Sequence, residues 1–157
     1  MTFAAVPLPR GVAMSVLPDH LRPRLSVAFC GTAVAKTSAT RGHYYAGPGN
    51  EFWAYLFRAG FTPTQLTPED DARVCDFGIG LTDLAKDVSA SFDAGLRSHY
   101  NVAVFVEKVE RFALSWVAFH GKEAARVVAR HLGTPRQVKL GRQPWQVGGV
   151  SVFVLPS

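Results

Sequence analysis

The chain has 157 residues, of which 48% are hydrophobic and 18% are charged, a composition typical of one ordered domain. No apolar run is long enough to cross a membrane, and the first residues lack the basic and apolar segments of a signal peptide. The formal net charge of +5 favours a polyanionic partner, with an ordinary solvated basic face as the alternative.

The chain contains two cysteines, Cys30 and Cys75, which lie in apolar surroundings and do not form a CxxC pair. This usage favours a reducing compartment, so we expect a cytoplasmic protein without a metal site. The sequence patterns of nucleophilic serines, phosphate-binding loops, zinc proteases and dinucleotide-binding folds are absent. We therefore expect no cofactor, and because no feature indicates an oligomer we expect a monomer.

Residues 1–24 contain four prolines and three arginines and predict an irregular arm ahead of a single domain at residues 25–157. The apolar run LSVAFC then predicts a strand that ends at Gly31. Such a strand places the backbone N–H groups of Thr32 and Ala33 at the carboxyl edge of a sheet, where α/β folds bind their ligands.

Residues 34–48 predict a long polar loop that is rich in hydroxyl and basic side chains. These residue types commonly contact phosphates, although a solvated loop fits the composition equally well. The candidates for phosphate contact in this loop are Lys36, Ser38 and Arg41.

The stretch GHYYAGPGNEFW at residues 42–53 combines two tyrosines, three glycines and a Pro-Gly turn with the start of an apolar helix. Asn50 lies where it would cap that helix. An aromatic pair, a turn and an amide at a helix entry would form a slot for a planar, hydrogen-bonding molecule such as a nucleobase. An ordinary loop-to-helix junction in which Asn50 only caps is the alternative. His43 lies inside the same stretch and is a further candidate for chemistry.

The rest of the chain alternates helices with strands. Helices are predicted at residues 50–59, 68–75, 96–111 and 121–132, and strands at residues 77–84, 114–119 and 150–155. No element is assigned to residues 134–146. The alternation predicts an α/β protein, a three-layer α/β/α sandwich with a mostly parallel central sheet.

Two further polar side chains fall where predicted strands end. Asp83 lies near the end of the strand FGIGLTDL and is the carboxylate nearest to the expected ligand edge, with a strand-end cap as the alternative. His120 follows the buried strand LSWVAF and also lies at that edge, with a structural histidine as the alternative.

Several segments, taken in order, resemble the uracil-DNA glycosylase superfamily: FCGTAVAKTSA, GHYYAGPGNEFW, AGFT, GIGLTDL, AFHGKEA and the terminal VFVLPS. Their order and spacing are similar to those of the mismatch-specific uracil/thymine glycosylases, from about Leu25 to the last residue. The stretch GHYYAGPGNEFW also resembles the corresponding segment of hypoxanthine-DNA glycosylases. The resemblance implies a uracil-DNA glycosylase-like fold and DNA as the partner.

The resemblance also implies roles for individual positions. Tyr45 matches the aromatic residue that stacks on the extruded base, and Phe52 matches the helix behind the pocket. The backbone of Thr32 and Ala33 would donate to a base oxygen. Ala33 stands where mismatch-specific members have the asparagine that holds the hydrolytic water, so the usual activator is missing. Asn50 matches an amide that matters in hypoxanthine-type relatives, and we expect it to be the principal catalytic or base-orienting residue.

The last residue of the sequence, Ser157, falls where the relatives continue with a short loop that wedges into the duplex. We expect Ser157 to contact DNA. Without a wedge, we expect comparable rates on single-stranded and duplex uracil substrates.

These inferences favour a monofunctional DNA glycosylase of base excision repair that hydrolyses the N-glycosidic bond of uracil and releases free uracil. Asp83 and His43 join Asn50 as candidates for the chemistry, and Gly31 and His120 are candidates for substrate binding. A non-catalytic binder of DNA lesions or abasic sites is the alternative from another class, because Ala33 and the chain end would then mark lost activity. A hypoxanthine-type glycosylase is the alternative among enzymes.

Overall fold

The computed structural model describes residues 15–89, 95–134 and 137–157, and its centre is a five-stranded sheet. The strands are β1 (Val27–Gly31), β2 (Ile79–Asp83), β3 (Trp116–His120), β4 (Gly141–Val147) and β5 (Val150–Leu155). They lie in the order β2-β1-β3-β5-β4, in which the first four are parallel and β4 is antiparallel to β5. The mostly parallel α/β sheet predicted from the sequence is confirmed.

Helices connect the described strands except β4 and β5, which are antiparallel neighbours joined by a turn at Gly148 and Gly149. The α-helices are α1 (Lys36–Arg41), α2 (Phe52–Arg58), α3 (Val102–Phe112) and α4 (Lys122–His131), and 3-10 helices cover Pro68–Phe77 and Arg97–His99. None of these described helices is long and apolar enough to cross a membrane.

The helices cover both faces of the sheet. Phe29 of β1 pairs with Ala118 of β3, so the next residue of β3, Phe119, points to the opposite face. Phe52 of α2 packs on Phe29 with ring centroids 5.2 Å apart, and Phe105 of α3 packs on Phe119 at 5.7 Å. These two contacts place α2 and α3 on opposite faces and give the three layers.

Three segments differ from the sequence-based prediction. Helix α1 lies inside residues 34–48, which the composition predicts to be a loop. The helix predicted at residues 96–111 is interrupted at Asn101, whose side chain caps α3 by accepting from the Val104 N–H at 3.2 Å. Strand β4 lies mostly within residues 134–146, for which the sequence predicts no element. Its inward residues alternate with exposed ones, and Pro144 is tolerated because β4 is an edge strand.

The N-terminal segment is only partly described. Residues 1–14 of the predicted arm lie outside the described residues. Residues 15–24 run beside β2, where His20 and Leu81 form an antiparallel bridge. This contact covers the outer side of β2, the strand that lies at one side of the sheet.

Candidate active site

The carboxyl ends of β2, β1 and β3 lie side by side and form the floor of the site. Gly31 pairs with Asp83, and Cys30 pairs with Phe119, so Gly31 lies beside His120 on its other side. Register partners point to the same face, here the face covered by α2. Because neighbouring strands are about 4.8 Å apart, Asp83 and His120 flank Gly31 at Cα positions about 10 Å apart.

Gly31 leaves room for the carboxyl group of Asp83. A Cβ added to Gly31 would lie 2.9 Å from Asp83 Oδ1, closer than real Cβ contacts come. The carboxyl group therefore occupies the space above the glycine. This contact joins two of the predicted site residues directly.

The turn after β1 is held by the turn after β2. The carbonyl oxygen of Gly31 accepts from the Leu84 N–H at 3.0 Å, and that of Thr32 accepts from the Ala85 N–H at 2.8 Å. Ala33 is half-buried and offers only a methyl group. The prediction that the N–H groups of Thr32 and Ala33 donate to a base remains a prediction.

An aromatic cluster stands over this edge of the sheet. The ring of Tyr45 stacks on Phe52 with centroids 3.9 Å apart, and His120 lies 5.2 Å from Tyr45 and 5.4 Å from Phe52. Phe29 closes the cluster from below at 5.6 Å from His120. One face of Tyr45 is thus covered by Phe52, so a base would have to pack on its other side.

Tyr44 does not form a wall of this cluster, which corrects the expectation of a slot between two tyrosines. Its side chain is buried, and its hydroxyl oxygen accepts from Lys86 Nζ at 3.0 Å. The rings of Tyr44 and Tyr45 are tilted, with centroids 6.2 Å apart. The aromatic partner of Tyr45 is Phe52 instead.

The backbone at Tyr45 has φ = +52°, which an aromatic residue rarely adopts. Side chains bind both the N–H and the carbonyl group of the preceding residue, Tyr44. The Tyr44 N–H donates to Asp71 Oδ2 at 2.9 Å, and Trp53 Nε1 donates to the Tyr44 carbonyl oxygen at 3.3 Å. A strained conformation that is fixed by several partners is typical of functional sites.

Side chains also bind the N–H and the carbonyl group of the following residue, Ala46. The Ala46 N–H donates to Ser38 Oγ at 3.0 Å, and Arg41 Nη1 donates to the Ala46 carbonyl oxygen at 2.6 Å. Ser38 is only 3% exposed, which disagrees with its predicted contact to phosphate. Arg41 and Lys36 are exposed, and their DNA contacts remain predictions.

His43 contacts a buried carboxylate that the sequence did not single out. Its Nδ1 lies 3.2 Å from Asp71 Oδ1, and His20 Nε2 lies 3.7 Å from the other oxygen. Asp71 belongs to the 3-10 helix at Pro68–Phe77, in a run of acidic residues that is typical of a solvated helix start. Only burial distinguishes it from its neighbours. The predicted catalytic role of His43 is untested.

Asn50 is exposed and lies two residues before α2. Its Oδ1 accepts from the Phe52 N–H at 2.9 Å, a local turn contact at the helix entry, whereas the N-cap position of α2 is Glu51. Its predicted catalytic role stays a prediction.

Asp83 is 6% exposed, and its carboxylate oxygen Oδ2 has no hydrogen-bond partner among the described residues. Burial raises the pKa of Asp83 to about 6, with a contribution from Asp19. Lys86, whose Nζ lies 3.8 Å from Oδ2, and a hydrogen bond from the Tyr44 hydroxyl lower this pKa in part.

A second carboxylate, Asp19, lies near Asp83 and is fully paired. Its oxygens lie 2.9 Å from Lys86 Nζ and 2.6 Å from Lys108 Nζ, and the Thr82 hydroxyl donates to it at 2.7 Å. Burial alone would raise the pKa of Asp19, but the two lysines together lower it. Sequence reasoning missed this cluster because its members come from distant segments.

His120 is neutral at physiological pH because burial lowers its pKa to about 4. Its Nε2 is buried without a hydrogen-bond partner in the described ranges. The exposed Ser157 packs beside this strand end, with its Cβ 3.1 Å from the position that a Cβ on Gly121 would take. The predicted DNA contact of Ser157 remains a prediction.

No cluster of histidine, cysteine, aspartate and glutamate that could hold a metal ion occurs within residues 15–89, 95–134 and 137–157.

The fold and the site define an α/β domain that places a glycine, a buried carboxyl group and an aromatic cluster at the carboxyl edge of a parallel sheet. The model of the uracil DNA glycosylase superfamily matches residues 18–157. The chain therefore belongs to the uracil DNA glycosylase superfamily.

One solved structure shares the fold over most of both chains. It is the solution NMR structure of a protein from Methanosarcina acetivorans that is predicted to be a uracil DNA glycosylase. The two folds agree with a TM-score of 0.61 at 21% sequence identity, over 90% of this chain and 81% of that chain. At this identity the likeness concerns the fold alone.

Proposed function

We propose that the protein is a monofunctional DNA glycosylase that hydrolyses the N-glycosidic bond of uracil in DNA and leaves an abasic site. Membership of the superfamily supports the reaction class. The observation that carries the proposal is the strand edge itself, where Asp83, Gly31 and His120 lie abreast beneath Tyr45.

The site offers what an extruded base requires. Flipping a base out of the stack costs a few kcal/mol, which contacts to its ring and edge must offset. Tyr45 provides a ring face that is fixed by Phe52 and by a backbone held on both sides. Asp83 and His120 provide polar atoms at the floor, where the edge of a base would be read.

The chemical step develops negative charge on the departing base and positive charge on the sugar. Backbone N–H groups after β1 can stabilise the base anion, and one such donor is typically worth about 3 kcal/mol. Because Ala33 has no polar side chain, the water must be held elsewhere. Asn50 is the amide that we assign to water or sugar.

The protein binds DNA through its basic surface. The formal net charge is +5, and Lys36 is exposed at the start of α1, which precedes the loop at residues 42–51, the Tyr45 loop. Charge neutralisation of phosphates makes such binding weaken as salt increases.

The test is incubation of the protein with an oligonucleotide that contains one uracil, followed by alkaline cleavage. We expect scission at uracil, and we expect Asn50→Ala to lower the single-turnover rate about 100-fold or more. Asn101→Ala removes the side-chain cap of α3, on the opposite face of the sheet, and should leave the rate near that of the wild type. Equal rates for Asn50→Ala and Asn101→Ala would leave Asn50 with a structural role only.

A non-catalytic binder of lesions or abasic sites is the second candidate, because Ala33 lacks the side chain that would hold water. Binding of the oligonucleotide without scission at any base would establish it. The same assay with hypoxanthine in place of uracil tests the remaining enzymatic alternative. Faster scission at hypoxanthine than at uracil would identify hypoxanthine as the preferred substrate.

A further inference from the structure

We propose that Asp83 reads the base in its acid form, by pairing its protonated carboxyl group with an imide edge, the adjacent N–H and C=O of a base such as uracil. This inference rests on the proposed function and specifies the substrate class of the same site. A carboxylic acid has one O–H donor and one carbonyl acceptor, which complement an imide through two hydrogen bonds. An ionised carboxylate has acceptors only, so it would repel the base carbonyl.

The geometry supports a ligand at Asp83. Oδ1 leans over Gly31 at the centre of the strand edge, where a Cβ would come within 2.9 Å. Oδ2 is buried and lacks a hydrogen-bond partner in the part of the chain that the structure describes. Buried carboxyl oxygens are normally paired, because leaving one unpaired is unfavourable. A bound base edge would supply the missing partner.

The groups around Asp83 explain why its acid form is accessible. Titratable groups from five segments of the chain surround Asp83. They are Cys30 of β1, Tyr44 and Tyr45 of the Tyr45 loop, Asp19 of the N-terminal segment, Lys86 of the turn after β2 and Lys108 of α3. Burial raises the pKa values of Cys30 and Tyr45, so both are neutral at physiological pH. The Lys86 Nζ lies 2.9 Å from Asp19 and 3.8 Å from Asp83. The ammonium group therefore stabilises the charge of Asp19 more than that of Asp83.

The pH dependence follows with a definite sign. With a pKa of about 6, Asp83 is mostly protonated below pH 6, and its acid form decreases about tenfold per pH unit above that. His120 cannot produce this inflection, because its pKa of about 4 keeps it neutral over the same range. Excision should therefore slow as the pH rises through 6.

The experiment measures kcat/KM for a single-stranded uracil oligonucleotide from pH 5 to 8.5 with the wild type and Asp83→Asn. Asparagine offers the same donor and acceptor at every pH. We expect the wild-type value to fall above pH 6 and the variant to stay flat, exceeding the wild type about 30-fold at pH 7.5. Asp87→Asn removes an exposed carboxylate on the following loop and should keep the wild-type profile.

A second variant keeps the inference testable if Asp83→Asn does not fold. Tyr44→Phe removes the hydrogen bond that lowers the pKa of Asp83, so the inflection should move to higher pH. An unmoved inflection in Tyr44→Phe would count against Asp83 as its source.

The outcomes separate the two proposals. A flat wild-type profile, a folded but inactive Asp83→Asn, or an Asp83→Asn profile that declines like the wild type would overturn the role of Asp83 and leave the glycosylase intact. Absence of excision by the wild type at every pH would overturn the proposed function, and the inference with it.

Discussion

The cluster around Asp19 and the strand edge around Asp83 share Lys86, which lies 2.9 Å from the first carboxylate and 3.8 Å from the second. Asp19 has two lysines and a threonine hydroxyl as partners, and its pKa is lowered. Asp83 keeps one buried oxygen without a hydrogen-bond partner in the described residues, and its pKa is raised to about 6. Both carboxylates are largely buried, so burial alone does not distinguish them. The number of hydrogen-bond and ion-pair partners does, and it leaves Asp83 with an oxygen that a ligand could bind.

The two carboxylates also have opposite effects on stability. Asp83 binds its proton more tightly in the folded protein than in the unfolded chain, so it destabilises the fold as the pH rises from about 4 to 6. Asp19 binds its proton less tightly when folded, so it stabilises the protein at neutral pH and loses this contribution as the pH falls through its folded pKa.

Crowding the strand edge should have the largest effect on activity. In Gly31→Ala the new Cβ overlaps Asp83 Oδ1, so the carboxyl group must move. We expect the single-turnover rate of uracil excision to fall about 100-fold or more, because small displacements of site groups have effects of this size. Gly47→Ala, with no atom within 4 Å of the added Cβ, is the matched control. An active Gly31→Ala would show that Asp83 need not lie over residue 31.

Removing the buried charge of Asp83, whose partners only partly offset its burial, should stabilise the protein. At pH 7.5, Asp83→Asn should raise the free energy of unfolding by up to about 3 kcal/mol, because the folded pKa of about 6 lies well above the ordinary value of 3.8. The gain should disappear below about pH 4. Urea unfolding at both pH values measures it, and a variant less stable than the wild type at pH 7.5 would contradict the unfavourable burial.

Removing the paired charge should have the opposite result. Asp19→Asn leaves Lys86 and Lys108 without their main partner, so we expect a loss of about 2 kcal/mol at pH 7. Thermal unfolding detects this loss, which should shrink in acid. Asp76→Asn breaks the exposed pair with Arg22 and should leave the stability unchanged. Equal effects of Asp19→Asn and Asp76→Asn would mean that the cluster is not stabilising.

Weakening the support of Tyr45 should have the smallest effect. Ser38→Ala leaves the Ala46 N–H without its acceptor and should destabilise the protein by about 1 kcal/mol. We expect a reduction of a few-fold in the excision rate, since three other side-chain contacts still hold the loop. The exposed neighbour in Thr37→Ala serves as the control. An excision rate of Ser38→Ala as low as that of Gly31→Ala would show that Ser38 acts in the site and does not only support the loop.

The sequence predicts the sheet and the strand edge well, because the apolar runs end at the residues that meet there. Gly31, Asp83 and His120 were each placed at the ligand edge from the end of a strand alone. The partners of these residues were not predictable in the same way. Asp71 and Asp19 reach their contacts across 27 to 89 residues, so no local pattern indicates them.

Local patterns also failed where an element is short or lies at an edge. Helix α1 has six residues and no apolar stripe, so the segment reads as a polar loop and the burial of Ser38 is not indicated. Strand β4 contains Gly141 and Pro144, which argue against a strand unless its edge position is known.

The stack of Tyr45 on Phe52 means that the protein orders this aromatic pair when it folds, before any ligand binds. A planar ligand that packs on the pair would meet side chains whose rotamers are already fixed, so little side-chain entropy would be lost on binding. Stacking of this kind does not distinguish one planar ring from another, since each has a flat face. Discrimination would then depend on the hydrogen-bond donors and acceptors at the edge of the ligand.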